Sequence, residues 1–177
     1  MSYSDFKLIA LLGRGTFGKV FLAECTKDKK QYAIKVIRKD VLIEYNQVKN
    51  TQLEKDILFS CDHPFLCGME YLFQSQTRLY FVMPFIRGGE LYKVFKARKR
   101  LAEPVVAFYA IQIAMAIGYL HGKGIMHRDL KLENVLVDQN GYLKIIDYGL
   151  AKVLQDKGLS KTFCGTPEYL APEMVSH

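Results

Sequence analysis

Apolar and polar positions change their period along this chain, and the changes mark out its elements. The opening stretch FKLIALLGRGTFGKVFLAEC (6–25) reads as strand, glycine turn, strand, and QYAIKVIRK follows as a further strand after the polar turn TKDKK. Between residues 48 and 59, Leu53, Ile57 and Leu58 recur at helical spacing, and DHP (62–64) ends the helix. Two more β segments lie near GMEYLFQ and RLYFVMPF. The first half is therefore expected to be a small antiparallel sheet with one long helix. After IRGGEL, where Gly88 and Gly89 read as a flexible junction, the pattern turns helical. Pro104 suits the first turn of a helix that runs to Gly122, a suitable C-terminal cap. A β-hairpin at VLVDQNGYLKIID interrupts this second half. The pattern predicts an α+β chain in two parts, residues 6–87 and 88–177, with the boundary between residues 84 and 90.

Composition narrows the class. Half of the 177 residues are hydrophobic and 24% are charged, as in an ordinary domain able to bury a core. The apolar run AFYAIQIAMAIGYL (107–120) falls short of the about 18 residues that a membrane span needs, and no charged-then-apolar leader opens the chain. The expectation is a soluble, cytoplasmic protein with no integral membrane segment. Four scattered cysteines, with no Cys-x-x-Cys pair, argue for thiols in a reducing compartment. Cys61, His63 and Cys67 lack a fourth residue spaced to complete a zinc site. The net charge of +7 raises the question of a nucleic-acid partner. Its one dense basic run, KARKR (96–100), lacks the interleaved aromatics of a single-strand groove and reads as a solvated helix end, so no nucleic acid is expected.

Chemistry enters with the glycines. GRGTFG (13–18) by itself suits dinucleotide folds, kinases and plain turns alike, but here a strand follows it, and the downstream residue of note is Lys35 rather than an acid. Gly13, Gly15 and Gly18 between paired strands would let backbone amides approach phosphates. In YAIK, Ala33 and Lys35 project from one face of a strand, with Val20 on the neighbouring strand closing the other side. A lysine there needs a carboxylate. The helix offers Glu54, on the edge of its apolar face, ahead of Glu44 and of Asp56, which points elsewhere.

HRDLKLEN (127–134) packs polar groups between apolar GIM and VLV, a poor core segment and a good catalytic loop. Asp129 can accept a proton from an attacking hydroxyl, Lys131 can sit over a transferred phosphoryl group, and Asn134 offers an amide oxygen to a cation. Asn140-Gly141 is the preferred centre of a two-residue turn, and that register sets Asn134 opposite Asp147. Two hard oxygen ligands there favour Mg²⁺. Tyr148, between Asp147 and Gly149, stands at a packing position, where its hydroxyl needs a partner or water.

With the glycine loop, Ala-Ile-Lys, His-Arg-Asp…Asn, Asp-Tyr-Gly and APE (171–173) in this order, residues 6–173 resemble the eukaryotic protein kinase catalytic domain. KTFCGTPEYLAPE and LKLENVL look most like the AGC group of serine/threonine kinases, the Akt-like and protein kinase A-like branch. The resemblance implies a bilobal fold, a β-rich N-terminal lobe and an α-rich C-terminal lobe with ATP in the cleft. It implies that Lys35 pairs with Glu54, that Mg²⁺ sits on Asn134 and Asp147, and that Asp129 positions the substrate hydroxyl. Leu12, Gly13, Gly15, Gly18, Val20, Ala33, Met83, Pro84, Ile86, Glu90 and Leu136 would line the nucleotide site, with Met83 as gatekeeper and Pro84 and Ile86 meeting adenine through main-chain groups. Thr162 matches an activation-loop phosphorylation site that an upstream kinase would fill, its phosphate docking on Arg128 and Lys152. Glu90, Glu133 and Thr166 match substrate positions, the two acids reading basic residues ahead of the acceptor. Three departures stand out: Tyr148 replaces phenylalanine, Pro84 replaces a commoner acid, and the chain ends at EMVSH, where the family continues. The ending suggests an incomplete C-terminal lobe whose apolar helix face at residues 107–120 is partly uncovered. Two functional readings follow: an active kinase switched on by phosphorylation, or a nucleotide-binding pseudokinase that rests only on Tyr148 and the truncation.

Overall fold

The computed structural model describes residues 1–154 and 164–175. The chain forms two compact units: residues 1–60 with 68–85, and residues 61–67 with 86–177. The division between residues 85 and 86 lies two positions before the expected boundary, and the short segment 61–67 belongs to the second unit.

The first unit is a five-stranded antiparallel sheet. Strands β1 (Phe6–Gly15), β2 (Gly18–Cys25), β3 (Gln31–Arg38), β4 (Tyr71–Gln74) and β5 (Arg78–Pro84) lie in the order β1-β2-β3-β5-β4. Alternation in β3 decides which face holds the core: Tyr32, Ile34 and Val36 are buried, and they cluster with Phe6, Ala23, Cys25 and Val82. The opposite face carries Val20, Ala33, Lys35, Phe81 and Met83, because Val20 pairs with Lys35, Lys35 with Phe81, and Ala33 with Met83. Helix α2 (Val48–Ser60) lies on that second face, burying Thr51, Glu54, Ile57 and Leu58. A short helix α1 (Lys39–Glu44), which hydrophobic periodicity does not announce, links β3 to α2.

The second unit contains α3 (Leu91–Arg98), α4 (Glu103–Gly122), β6 (Ile125–Met126), β7 (Val135–Val137), β8 (Leu143–Ile145), β9 (Lys152–Val153) and α5 (Pro172–Val175). Pro104 does stand in the first turn of α4. The chain leaves that helix at Gly124, which has φ +69 and whose amide donates to the His121 carbonyl, so the left-handed stop is Gly124 rather than Gly122. At 20 residues, α4 is longer than its uninterrupted apolar run and is long and apolar enough to cross a membrane by length and composition alone. One face nevertheless holds to its own unit: buried Gln112 accepts a hydrogen bond from the Leu143 amide at 2.9 Å and donates to the Phe108 carbonyl at 3.0 Å.

The hairpin departs from the expected register. Val135 pairs with Ile145, Leu136 with Lys144 and Val137 with Leu143, so three residues, 139–141, form the loop. Asp138 is the cause. Its carboxylate accepts the amides of Asn140 (2.7 Å) and Tyr142 (2.9 Å), and Gly141, at φ +86, supplies the left-handed residue that closes a three-residue loop. Asn134 then faces Ile146, whose amide it accepts at 2.9 Å, and Asp147 falls one residue beyond the ladder with φ +62. Gly88 is also not a loose joint. A β-carbon there would lie 2.4 Å from the Val137 carbonyl oxygen, and the adjacent Gly89 carbonyl accepts the Val137 amide at 2.8 Å.

Candidate active site

On the first unit, Lys35 lies on the sheet face opposite the core. The Lys35 ammonium donates to Glu54 Oε1 at 2.5 Å, and both side chains are well covered. Register explains the neighbourhood: Val20 stands beside Lys35 on the same face rather than across from it, and Ala33 has Leu22 and Met83 as its lateral neighbours. Leu22 and Phe81 are members of this face that motif reading misses and that the pairing register would have supplied. Met83 shares the face. Pro84 pairs with Tyr32 on the other face, two positions past Val82, the last residue of β5 paired with β4, so the β4–β5 ladder loses nothing from its missing N–H. Asp56 is exposed and bonds Gln52, while Glu44 ends α1 in solvent.

The glycines divide into two kinds. A β-carbon at Gly13 or Gly15 would meet nothing within 4 Å, which leaves open backbone on one side of the β1–β2 hairpin. At Gly18 it would lie 1.9 Å from the Val36 carbonyl oxygen, so this glycine serves the contact between β2 and β3. Leu12 is skipped by the ladder between Leu11 and Gly13 and is exposed.

On the second unit, Asp129 is the centre of a polar cluster. Its Oδ1 accepts the Thr166 hydroxyl at 2.7 Å, and its Oδ2 meets the Lys131 ammonium at 2.9 Å and the Asn134 amide at 2.9 Å. Asn134 also donates to the Asp129 carbonyl at 2.8 Å, and Lys131 donates to Thr166 at 2.9 Å. Both amide protons of Asn134 are thus spent on Asp129, which leaves its carbonyl oxygen for another partner. Asp147 accepts the Gly149 amide at 3.2 Å. An amide oxygen and a carboxylate suit a hard cation that completes its shell with water and phosphates, so these two residues fit Mg²⁺. Among the described residues, no cluster of three His, Cys, Asp or Glu forms a fuller cage.

Buried His127 supports the loop. Its Nδ1 accepts the Asp129 amide at 3.3 Å, which assigns the proton to Nε2, and Nε2 faces the Ile146 carbonyl at 3.4 Å. Burial holds its pKa below the usual value. Tyr148 is 1% exposed, its ring edge-on to His127, and its hydroxyl donates to the Ile145 carbonyl at 3.2 Å with the Cys67 carbonyl at 3.5 Å. The added oxygen is therefore absorbed by the core.

The remaining positions are spread over the same unit. Ile86 begins its main segment, half-buried. Glu90 precedes α3, bonds Lys93 at 2.8 Å and bridges to Leu136 on β7. Arg128, at φ +65, donates to the Leu150 carbonyl at 2.7 Å, and Lys152 pairs with Met126. Glu133 has a buried Oε2 that is the one side-chain atom of its kind without a hydrogen-bond partner among the described residues. Thr162 and the side chain of Glu173 lie outside the described residues.

The family model described as "Protein kinase domain" matches residues 6–177. The chain belongs to the protein kinase domain family. It is 45% identical over 176 residues to the serine/threonine-protein kinase akt-2 of Caenorhabditis elegans, covering 99% of this chain and 33% of that protein. Against serine/threonine-protein kinase Sgk1 of Xenopus tropicalis it is 44% identical over 174 residues, covering 97% of this chain and 42% of the relative. The RAC serine/threonine-protein kinase of Drosophila melanogaster is 45% identical over 176 residues, 99% of this chain and 29% of its own length. These relatives are kinases of the AGC group that the motifs resemble. This kinase-domain chain spans between about a quarter and a half of the length of the curated relatives it matches.

Proposed function

We propose that this chain carries the catalytic centre of a serine/threonine protein kinase that transfers the γ-phosphoryl group of Mg-ATP to a serine or threonine hydroxyl. The observation that carries the reading is the Asp129 cluster, a carboxylate held in place by Thr166, Lys131 and Asn134. A carboxylate fixed in this way can accept the proton of an incoming hydroxyl, and Lys131 beside it can balance negative charge on the group being transferred. Mg²⁺, when bound through Asn134 and Asp147, would supply charge neutralisation for the phosphates. Lys35, fixed by Glu54, would hold the nucleotide's phosphates by charge. Val20, Ala33 and Met83 would form an apolar wall for the base on the first unit, with Leu12 and the main chain of Pro84, and Gly13 and Gly15 leave backbone open to phosphate.

Glu133 supports the basic substrate class that the resemblance implies. A carboxylate oxygen that is buried and unpartnered costs about 1–3 kcal/mol, and an arginine or lysine ahead of the acceptor residue would supply its missing partner. Glu90 is the second acid of this reading. By the same resemblance, an upstream kinase acting on Thr162 and reading out through Arg128 and Lys152 is the regulatory partner, and the cytoplasm is the place of action.

The test is a titration of ATP with and without Mg²⁺ and an assay of transfer to a peptide with arginines before its serine. Asp147→Ala is expected to abolish the Mg²⁺-dependent part of nucleotide binding, and Asp129→Asn to lower transfer about 10²–10⁴-fold with nucleotide binding intact. Glu133→Ala should raise KM for the arginine-bearing peptide about tenfold and leave the ATP KM unchanged, without loss of thermal stability. Transfer that survives Asp129→Asn would overturn the assignment.

A further inference from the structure

Asp147 has a left-handed φ of +62, a conformation that costs a residue with a β-carbon and persists only where its surroundings fix it. The groups that fix it are close in sequence. Gly149 N–H bonds Asp147 Oδ1 at 3.2 Å, and Ala151 N–H bonds the Tyr148 carbonyl at 2.9 Å. The Tyr148 hydroxyl adds a third tie. It reaches back past Asp147 to the Ile145 carbonyl at 3.2 Å, and it stands 3.5 Å from the Cys67 carbonyl on the segment that crosses β8. That segment is itself anchored: the Cys67 amide donates to Ile145 O and the Ile145 amide to Phe65 O, each at 2.8 Å. The hydroxyl therefore closes a ring around Asp147, joining the residue after it to the residue two before it and to the Cys67 segment, which is bonded to β8 on its own account.

We propose that Tyr148 is a positioning residue for Asp147, its hydroxyl locking the strand-end turn in the conformation that presents the Asp147 carboxylate to a divalent cation. This inference rests on the proposed role of Asp147. A phenylalanine at this position would keep the ring against His127 and lose only the tie, and the Ile145 carbonyl would retain the Cys67 amide.

The experiment compares the parent chain with Tyr148→Phe in two measurements. The first is MgCl₂ titration of ATP binding, with nucleotide affinity in EDTA as the reference. The second is hydrogen–deuterium exchange without nucleotide. Tyr148→Phe is expected to raise the Mg²⁺ midpoint about three- to tenfold, the size of one hydrogen bond, with affinity in EDTA unchanged. It is also expected to speed exchange in residues 145–151, while the amides of β1–β3 keep their rates and show that the variant is folded. An unchanged Mg²⁺ midpoint overturns the proposal, including the case in which exchange quickens but the midpoint does not, because the hydroxyl would then serve packing alone. If the parent chain shows no Mg²⁺ dependence, or keeps it in Asp147→Ala, the reading of Asp147 fails and this inference falls with it. If the parent and Asp147→Ala behave as proposed and only Tyr148→Phe is silent, the positioning role alone is lost.

Discussion

His127 is the residue whose environment most clearly sets a solution property. The folded chain prefers its neutral ring, because burial penalises the charged form and its two nitrogens are placed as one acceptor and one donor. The unfolded chain, with the ordinary pKa near 6.5, takes up the proton first as pH falls. The stability that this ring contributes is thus fully present above about pH 6.5 and is lost as pH drops towards the depressed folded value. Half-buried His63 has the same sign, so it adds to the slope. Urea unfolding at pH 8 and pH 5 is expected to show a smaller loss for His127→Gln than for the parent chain, and an equal loss would mean that folding does not change the proton affinity of His127. At this scale the sequence was easiest to read where a charge needed a partner. Lys35 and Glu54 are 19 positions apart, yet helix geometry was enough to prefer Glu54 over Asp56. Thr166 as a hydrogen-bond donor to Asp129 was less legible, because a contact over 37 positions leaves no trace in local pattern.

Elements show where local pattern misleads. The glycine loop reads as a set of equivalent positions, but the space around each glycine differs. Gly18→Ala is expected to destabilise the sheet by about 1–3 kcal/mol through its collision with the Val36 carbonyl, while Gly15→Ala should cost well under that and act on nucleotide binding instead. Thermal melts paired with ATP titrations would separate the two, and equal melting points would contradict the division. The β7–β8 hairpin gives the complementary lesson. Asn-Gly is a strong signal for a two-residue turn, but Asp138 offers the backbone a carboxylate acceptor for two amides and wins a third loop residue. Periodicity found the strands and could not weigh a side chain's bonds to the main chain. In α4 the end signals were read correctly for extent, from Pro104 in the first turn to Gly122, although the left-handed residue that stops the helix is Gly124.

For the whole molecule, the α+β character was legible because the two parts of the chain have different periods, and the chain forms two compact units that divide between residues 85 and 86. Side-chain exposure on α4 was anticipated in kind. Phe108, Ile111 and Met115 are each more than two-fifths exposed, an apolar surface that favours self-association. Ile111→Gln with Met115→Gln should raise the concentration at which the chain stays monomeric in light scattering and change the unfolding free energy by no more than about 0.5 kcal/mol, since neither side chain lies in the core. A large loss of stability would show that the face is already covered in solution. The buried face of the same helix has a consequence for how the chain is made. The helix ends at Gly122, 21 residues before Leu143, so during synthesis it is complete for roughly 1–4 s, at about 5–20 residues per second, before the amide that Gln112 serves is made. Its bond to the Phe108 carbonyl can form within the helix at once, holding the side-chain oxygen ready, so that the late-arriving hairpin finds its register marked in advance.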